Sequence, residues 1–272
     1  MKYKETCRVV EQKELMTGIY SLLLQTDRIA GEAKAGQFVS LYSADGARLL
    51  PRPISLCEIR REEKQLRLVY RIAGKGTAEF SQLQAGDQVE VFGPLGNGFP
   101  LEEAAGKRVL LIGGGIGIPP MLQTAKDLTE QMEKAKTAGD PETAPLAVTL
   151  VAGYRDVCFL KEDLEAAAPL AIATEDGSAG SKGTVLDAIR EQQLQGDLIF
   201  ACGPKPMLKG LAEYAEQQKI DCWISMEEKM ACGVGACLAC VCQTPEKDAH
   251  SNVNNKRICK DGPVFRSTEI LL

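Results

Sequence analysis

The sequence predicts a multidomain α+β protein: an antiparallel β-barrel over residues 1–101, a parallel-sheet α/β domain over 102–221 and a small C-terminal domain over 222–272. Three observations carry that expectation. Short strand-like runs separated by glycine recur through the first hundred residues, as in a small closed sheet. From about residue 107, continuous apolar runs alternate with helical periodicity, the pattern of buried parallel strands and their crossovers. Six of the ten cysteines then fall after residue 221.

The totals set the class. With 272 residues, 44% hydrophobic and 25% charged, the chain is an ordinary globular protein long enough for two cores and an appendage. A formal charge of −5 argues against a nucleic-acid partner, because phosphate binding needs a basic surface. No apolar run is long enough to cross a bilayer, so no membrane partner is expected. The start, Met1-Lys2-Tyr3-Lys4-Glu5-Thr6, leads into alternating residues with no apolar signal stretch. Cys7, Cys57, Cys158, Cys202 and Cys222 are scattered singly through apolar or strand-like contexts, which indicates a reducing, cytoplasmic setting.

In the first domain the clearest strands are Ile19–Leu24, Gln37–Tyr42, Gln65–Arg71 and Gln88–Phe92, punctuated by Gly31, Gly36, Gly46, Gly86 and Gly93-Pro94. Two places carry chemistry. Arg52-Pro53-Ile54-Ser55 joins a cation to a hydroxyl three residues on, with proline stiffening a bend. Gly74-Lys75-Gly76-Thr77 precedes a helical turn at Ala78–Leu83, and a glycine loop feeding a helix N-terminus suits an anion. Each also has a plainer reading, Arg52 as a surface ion-pair residue and the glycine loop as a turn.

Strands of the second domain are expected at Val109–Ile112, Ala147–Val151, Leu170–Ala173 and Leu198–Ala201. The first runs into Gly113-Gly114-Gly115-Ile116-Gly117-Ile118-Pro119-Pro120-Met121. Read from Gly113, isoleucine stands at 118 where the Rossmann fingerprint has glycine; read from Gly115 the pattern is G-x-G-x-x-P. Pro119 suits the first helical turn, and Leu122, Ala125, Leu128 and Met132 then share one helical face. Gly114, Gly115 and Gly117 would let the backbone approach a pyrophosphate, the alternative being a tight strand-to-helix turn. Lys134–Thr143 reads as a polar surface loop. Glu175 and Asp176 follow the third strand, where acidic side chains would repel a 2′-phosphate and favour NAD over NADP, unless they are turn carboxylates. Cys202-Gly203-Pro204 closes the fourth strand; Cys202 could pack beside a nicotinamide or be a small buried apolar group.

The tail is the most specific stretch. Cys232, Cys237 and Cys240 are spaced C-x4-C-x2-C, and with a distant fourth cysteine that is the plant-type [2Fe–2S] pattern. Gly233, Val234, Gly235, Ala236, Leu238 and Ala239 between them are small or apolar, so the backbone can curl its N–H groups toward sulfur and limit water. Structural zinc is the alternative, but it favours paired C-x2-C knuckles and one such pair is present. Cys259 has the separation expected of the fourth ligand, with Cys242 a nearby competitor. Thr244–Asn252 reads as a polar loop holding a solvated His250.

Arg52-Pro53-Ile54-Ser55, Gly76-Thr77, the 113–121 glycine–proline run and Cys202-Gly203-Pro204 together resemble the ferredoxin–NADP reductase superfamily. With Glu227–Cys237 and Cys259–Phe265 added, nearly the whole chain resembles the family of electron-transfer subunits of NAD-dependent (type B) dihydroorotate dehydrogenases. The resemblance implies an FAD-binding barrel, an NAD-binding α/β domain and a [2Fe–2S] domain. It also implies a partner catalytic subunit carrying FMN, in a heterotetramer of two each, which oxidises dihydroorotate to orotate in pyrimidine biosynthesis. By that match Arg52, Pro53, Ile54, Ser55, Val69, Tyr70, Arg71, Gly76 and Thr77 contact FAD, and Cys232, Cys237, Cys240 and Cys259 hold the cluster. Gly114, Gly115, Gly117, Pro119, Glu175, Cys202 and Gly203 remain the candidates for NAD. Electrons would pass from the partner's FMN through the cluster to FAD and on to NAD⁺, with the substrate's catalytic base on the other chain. Related subunits serve sulfide dehydrogenases, hydrogenases and ferredoxin:NADP oxidoreductases, and these are the alternative assignments.

Overall fold

The computed structural model describes residues 1–247 and 252–272. Alternation of inward apolar and outward polar side chains closes the first sheet. Strands β1 (Tyr3–Met16), β2 (Ile19–Gln25), β3 (Phe38–Tyr42), β4 (Arg52–Arg60), β5 (Gln65–Arg71) and β6 (Gln88–Leu95) form a closed antiparallel barrel in the order β1-β2-β5-β4-β3-β6. Closure removes exposed sheet edges. Leu22, Leu41, Leu56, Leu66, Leu68 and Tyr70 are among the side chains filling its interior. Helix α1 (Ile29–Glu32) and helix α2 (Lys75–Phe80) are the barrel's short helices.

Two strands differ from the sequence reading. β1 carries charged residues along an exposed face, which masked its buried Cys7 and Val9. β4 begins at Arg52-Pro53, expected as a bend, yet Pro53 stands opposite Ser40 in register with β3. Proline is tolerated near a strand's first residue, where a missing ladder N–H matters least. The helical turn expected at Ala78–Leu83 also starts three residues earlier, in α2.

The second sheet is parallel over β7 (Arg108–Gly114), β8 (Ala147–Tyr154), β9 (Leu170–Thr174), β10 (Ser181–Lys182), β11 (Leu198–Cys202) and β12 (Asp221–Ser225), in the order β10-β9-β8-β7-β11-β12. Leu111, Ile112, Leu150, Val151, Ile199 and Phe200 are buried, as continuous apolar runs require when helices cover both faces. Helices α3 (Pro119–Ala138), α4 (Lys161–Ala167), α5 (Val185–Glu191) and α6 (Lys205–Gln218) connect the strands. On α3, Leu122, Ala125 and Leu128 face inward as predicted. The helix continues through Lys134–Ala138, expected as loop, because Ala135 is buried and left-handed Gly139 ends it only afterwards. No helix among the described residues is long and apolar enough to cross a membrane.

The last stretch has β13 (Val241–Gln243) and β14 (Asn255–Arg257) as an antiparallel pair, then β15 (Val264–Arg266), which joins the second sheet beside β12. His250 lies outside the described residues. The chain divides into one unit of Met1–Gly98 with Glu227–Pro263 and another of Phe99–Met226 with Val264–Leu272. Within the stretch expected as the C-terminal domain, Trp223–Ser225 and Val264–Arg266 pair with each other in the second sheet, and the segment between them packs with the barrel unit. Arg266 fastens the tail by donating to both Glu103 oxygens at 3.0 and 3.1 Å and lying 5.1 Å over the Trp223 ring.

At the start of β7, Arg108 grips Asp197 through its N–H, Nε and Nη2 at 3.0, 2.8 and 2.6 Å. These hydrogen bonds hold the Asp197 carboxyl down at about 2, so its stabilising contribution is complete above the ordinary value of 3.8 and is lost as pH falls through about 2. Asp197→Asn is expected to flatten the loss of stability on acidification across that window, read by denaturant melts at each pH. Leu68→Ala, at a fully buried barrel position, is expected to cost about 2–5 kcal/mol in the same melts.

Candidate functional site

The cysteine centre is built by a loop that only glycine can close. Gly233 and Gly235 adopt φ of 68° and 83°, and Leu238 also takes a left-handed φ of 57°. These turns aim backbone N–H groups at sulfur. Cys232 Sγ accepts from Val234, Ala236 and Cys237 N–H at 3.4, 3.3 and 3.4 Å, and Cys259 Sγ accepts from Gly235 N–H at 3.1 Å. Burial raises the Cys232 thiol, but the converging N–H groups outweigh it and bring the value down to about 6. Cys259 has one such donor; burial and the neighbouring Cys240 push it up to about 12.

The four thiols lie near enough to influence one another, Cys237 acting on Cys232 and both Cys240 and Cys232 on Cys259. Among the described residues no three Cys, His, Asp or Glu side chains gather round a single point that could hold one metal ion. Four cysteines in C-x4-C-x2-C order with a distant fourth suit a two-iron cluster, in which each iron takes two thiolates. Cys242 is buried on β13 with its thiol donated to Lys256 O at 3.5 Å.

The barrel's outer face holds this segment. Asn97 N–H donates to Gly262 O at 2.7 Å and Asn97 Nδ2 to Asp261 O at 3.2 Å. A Cβ on Gly233 would stand 3.4 Å from Ser40 Oγ, and one on Gly96 would run into the Pro263 ring and stand 2.8 Å from Gly262 O. Ser40 is paired across β3–β4 with Pro53, and Phe38 with Ser55. The Arg52–Ser55 stretch therefore lies one strand away from the residues that seat the cysteine loop.

Arg52 folds over the glycine loop: a Cβ on Gly76 would meet its guanidinium at 2.5 Å. Its Nη1 also donates to the Leu50 and Pro51 carbonyls. Thr77 turns its hydroxyl back on its own helix, accepting from Ala73 N–H at 2.8 Å and donating to Gly74 O at 3.0 Å. Val69 is buried and Arg71 exposed on the outer row, whereas Tyr70 points into the core, where Gln12 donates to its hydroxyl at 2.8 Å. Exposed Leu49, Leu50 and Ile72 flank Arg52 and the 74–77 loop. Glu79, which the sequence did not single out, anchors the preceding loop through Ser43, Arg48 and Ala44 N–H.

In the second unit β7 lies between β8 and β11, the point where strand order reverses and where open α/β sheets bind ligands at their carboxyl ends. Gly114, Gly117, Cys202 and Gly203 meet there. A Cβ on Gly117 would stand 2.3 Å from Cys202 O, and one on Gly114 2.4 Å from Met207 Sδ. Gly117 packs against backbone and Gly114 against the Met207 side chain, while exposed Gly115, at φ 53° with nothing within 4 Å of a Cβ, is the open point of the turn. Pro119 and Pro120 carry no N–H and Met121 N–H is donated to Ile118 O, so the first turn of α3 offers less to an anion than its sequence suggests. Glu175 is exposed at the end of β9; Asp176 is occupied by Ser178 N–H at 2.9 Å.

A model of the iron–sulfur cluster binding domain of dihydroorotate dehydrogenase B matches residues 227–271, and one of the oxidoreductase NAD-binding domain matches 111–213. The dihydroorotate dehydrogenase B (NAD(+)) electron transfer subunit of Bacillus caldolyticus is 43% identical over 99% of both chains. That of Streptococcus mutans is 38% identical over the full length of both. The chain belongs to this family of electron transfer subunits. In fold, it matches a chain of the NADH-dependent reduced ferredoxin–NADP oxidoreductase with a TM-score of 0.84, 28% identity, and coverage of 98% of this chain and 90% of that one. The Neisseria gonorrhoeae ferredoxin NADP+ reductase shares the fold at a TM-score of 0.61, with 20% identity over 79% of this chain and 91% of that one.

Gly235→Ala would drive a methyl to within 2.8 Å of the Lys260 stem and strain a left-handed φ, so iron content per chain is expected to fall severalfold. Cys242→Ser, at a thiol engaged elsewhere, is expected to retain wild-type iron, measured by the same metal and acid-labile sulfide analysis.

Proposed function

We propose that this chain is the NAD⁺-linked electron transfer subunit of a dihydroorotate dehydrogenase, carrying electrons from FMN on a partner catalytic subunit, by way of [2Fe–2S] and FAD, to NAD⁺. The observation that carries the reading is the shared outer face of β3, where Ser40 stands between Pro53 and Gly233, and Phe38 between Ser55 and the Gly96–Pro263 contact. When bound, a flavin and a cluster supply the exchange between two-electron hydride chemistry and single-electron transfer. The chain's own residues position and insulate. Cys232, Cys237, Cys240 and Cys259 would hold the cluster, with the N–H groups of Val234, Gly235, Ala236 and Cys237 stabilising thiolate charge.

Arg52, fixed over Gly76, would balance negative charge on FAD, and Ser55 would hold the ring from the half-buried outer face of β4. Exposed Leu49, Leu50 and Ile72 give an apolar surface for a flavin to cover. Val69 and Arg71 share the outer row with Ser55, while Tyr70 acts from the core by fixing β5. In the nucleotide unit, Gly115 would admit the pyrophosphate at the β7–β11 switch point, with Gly114, Gly117, Pro119, Cys202 and Gly203 shaping the turn behind it. Glu175 would disfavour a 2′-phosphate, in keeping with the NAD(+) in the relatives' names. The partner would assemble as two of each chain, in the cytoplasm.

The fold match to the NADH-dependent ferredoxin–NADP oxidoreductase favours a second reading, in which a ferredoxin-linked partner replaces the dehydrogenase. Co-expression with each candidate partner distinguishes them by whether dihydroorotate reduces NAD⁺. The isolated chain is expected to show flavin and iron–sulfur absorbance and to oxidise NADH with an artificial acceptor. Arg52→Ala is expected to weaken FAD binding about tenfold or more while leaving iron content unchanged. Colourless protein holding zinc would end this reading.

A further inference from the structure

Gly235 is where the two halves of the cysteine centre meet. Its N–H donates to Cys259 Sγ, its carbonyl accepts from Arg257 Nη1 at 3.3 Å, and its Cα lies against the Lys260 stem. Arg257 also donates Nε and Nη2 to Asp261 at 2.9 and 3.0 Å, and its own N–H to Asp261 Oδ2 at 2.8 Å. Lys260 and Asp261 N–H groups close the turn on Arg257 O at 3.1 and 2.7 Å. One guanidinium thus spans the 257–261 turn that carries Cys259 and reaches across to the loop that carries Cys232 and Cys237. Its donors lie in a rigid plane, which suits this double task in a way a lysine ammonium does not.

Charge follows from the same geometry. Arg257 interacts electrostatically with Cys240 and Cys259 as well as with Asp261. Reduction adds negative charge to a cluster, so a fixed cation beside two of its ligands favours the reduced form and a fixed anion disfavours it. Lys260 and Lys256 border the same turn.

We propose that Arg257 is a positioning residue of the cysteine centre: it locks the Gly235 loop to the Cys259 turn and, balanced against Asp261, sets the cluster's potential. The proposal rests on the iron–sulfur reading given above. The test uses the full chain as wild type, Arg257→Gln and the double variant Arg257→Gln/Asp261→Asn. Iron and acid-labile sulfide are counted, electron paramagnetic resonance spectra recorded on the reduced protein, and midpoint potentials obtained by redox titration. Loaded Arg257→Gln is expected to show a more negative midpoint and altered g-values, and the double variant a midpoint returned toward wild type. An unchanged midpoint and spectrum in fully loaded Arg257→Gln overturns the proposal, as does a lowered midpoint that the second substitution fails to restore. If Arg257→Gln loses its iron, recovery of iron in the double variant supports the proposal. Loss of iron in both with denaturant melts like wild type supports the lock, whereas loss in both with lowered stability makes Arg257 a folding residue and overturns the proposal. Wild type without iron or sulfide would instead overturn the iron–sulfur reading itself.

Discussion

The cysteine segment cannot bury a core of its own, and everything in the barrel unit's redox geometry depends on how it borrows one. Two three-residue strands and a glycine loop expose too much backbone to stand alone. The outer face of β3 supplies what is missing. Ser40 and Phe38 are almost fully buried on that face although the barrel's own core lies on the other side. A Cβ on Gly96 would run into the Pro263 ring and Gly262 O, and Gly233 sits against the Ser40 and Leu95 side chains. The same strand pairs with Arg52–Ser55 on β4, so one short strand sets the spacing between that stretch and the cysteine loop.

Chain connectivity adds a second constraint. The segment leaves the nucleotide unit after β12 and re-enters it at β15, where Ser225 and Val264 are paired. Arg266, Glu103 and Trp223 then fasten the returning strand. Anchoring both ends of an excursion at one point of a stable sheet reduces the conformational freedom that cluster assembly must overcome. The excursion belongs by packing to one unit and by tether to the other.

Glycine has three separate roles in this chain, which motif reading merges. Gly233 and Gly235 supply left-handed turns that point N–H groups at sulfur. Gly117 lets the loops after β7 and β11 touch backbone to backbone, and Gly114 leaves room for the Met207 side chain. Gly115 alone of that run is open and exposed at the β7–β11 switch point. A fingerprint of glycines marks a place where backbone comes close to something, and the fold decides whether that is a ligand or another loop.

The barrel, the parallel sheet and the spacing of the cysteines are legible in the chain alone, because each is written in local period or in chain separation. Apolar runs placed β7, β8, β9 and β11, and alternation placed β2, β3 and β5. Local signals could not show that Pro53 sits within a strand, that a charged β1 completes the barrel, or that helix α3 continues through Lys134–Ala138. Only tertiary structure decided that Tyr70 faces inward while its neighbours face out, that Cys242 is engaged by Lys256 O, and that Arg257 bridges Gly235 and Asp261. Those outcomes depend on contacts between residues far apart in the chain, and no local pattern records which distant atoms will fill a given space.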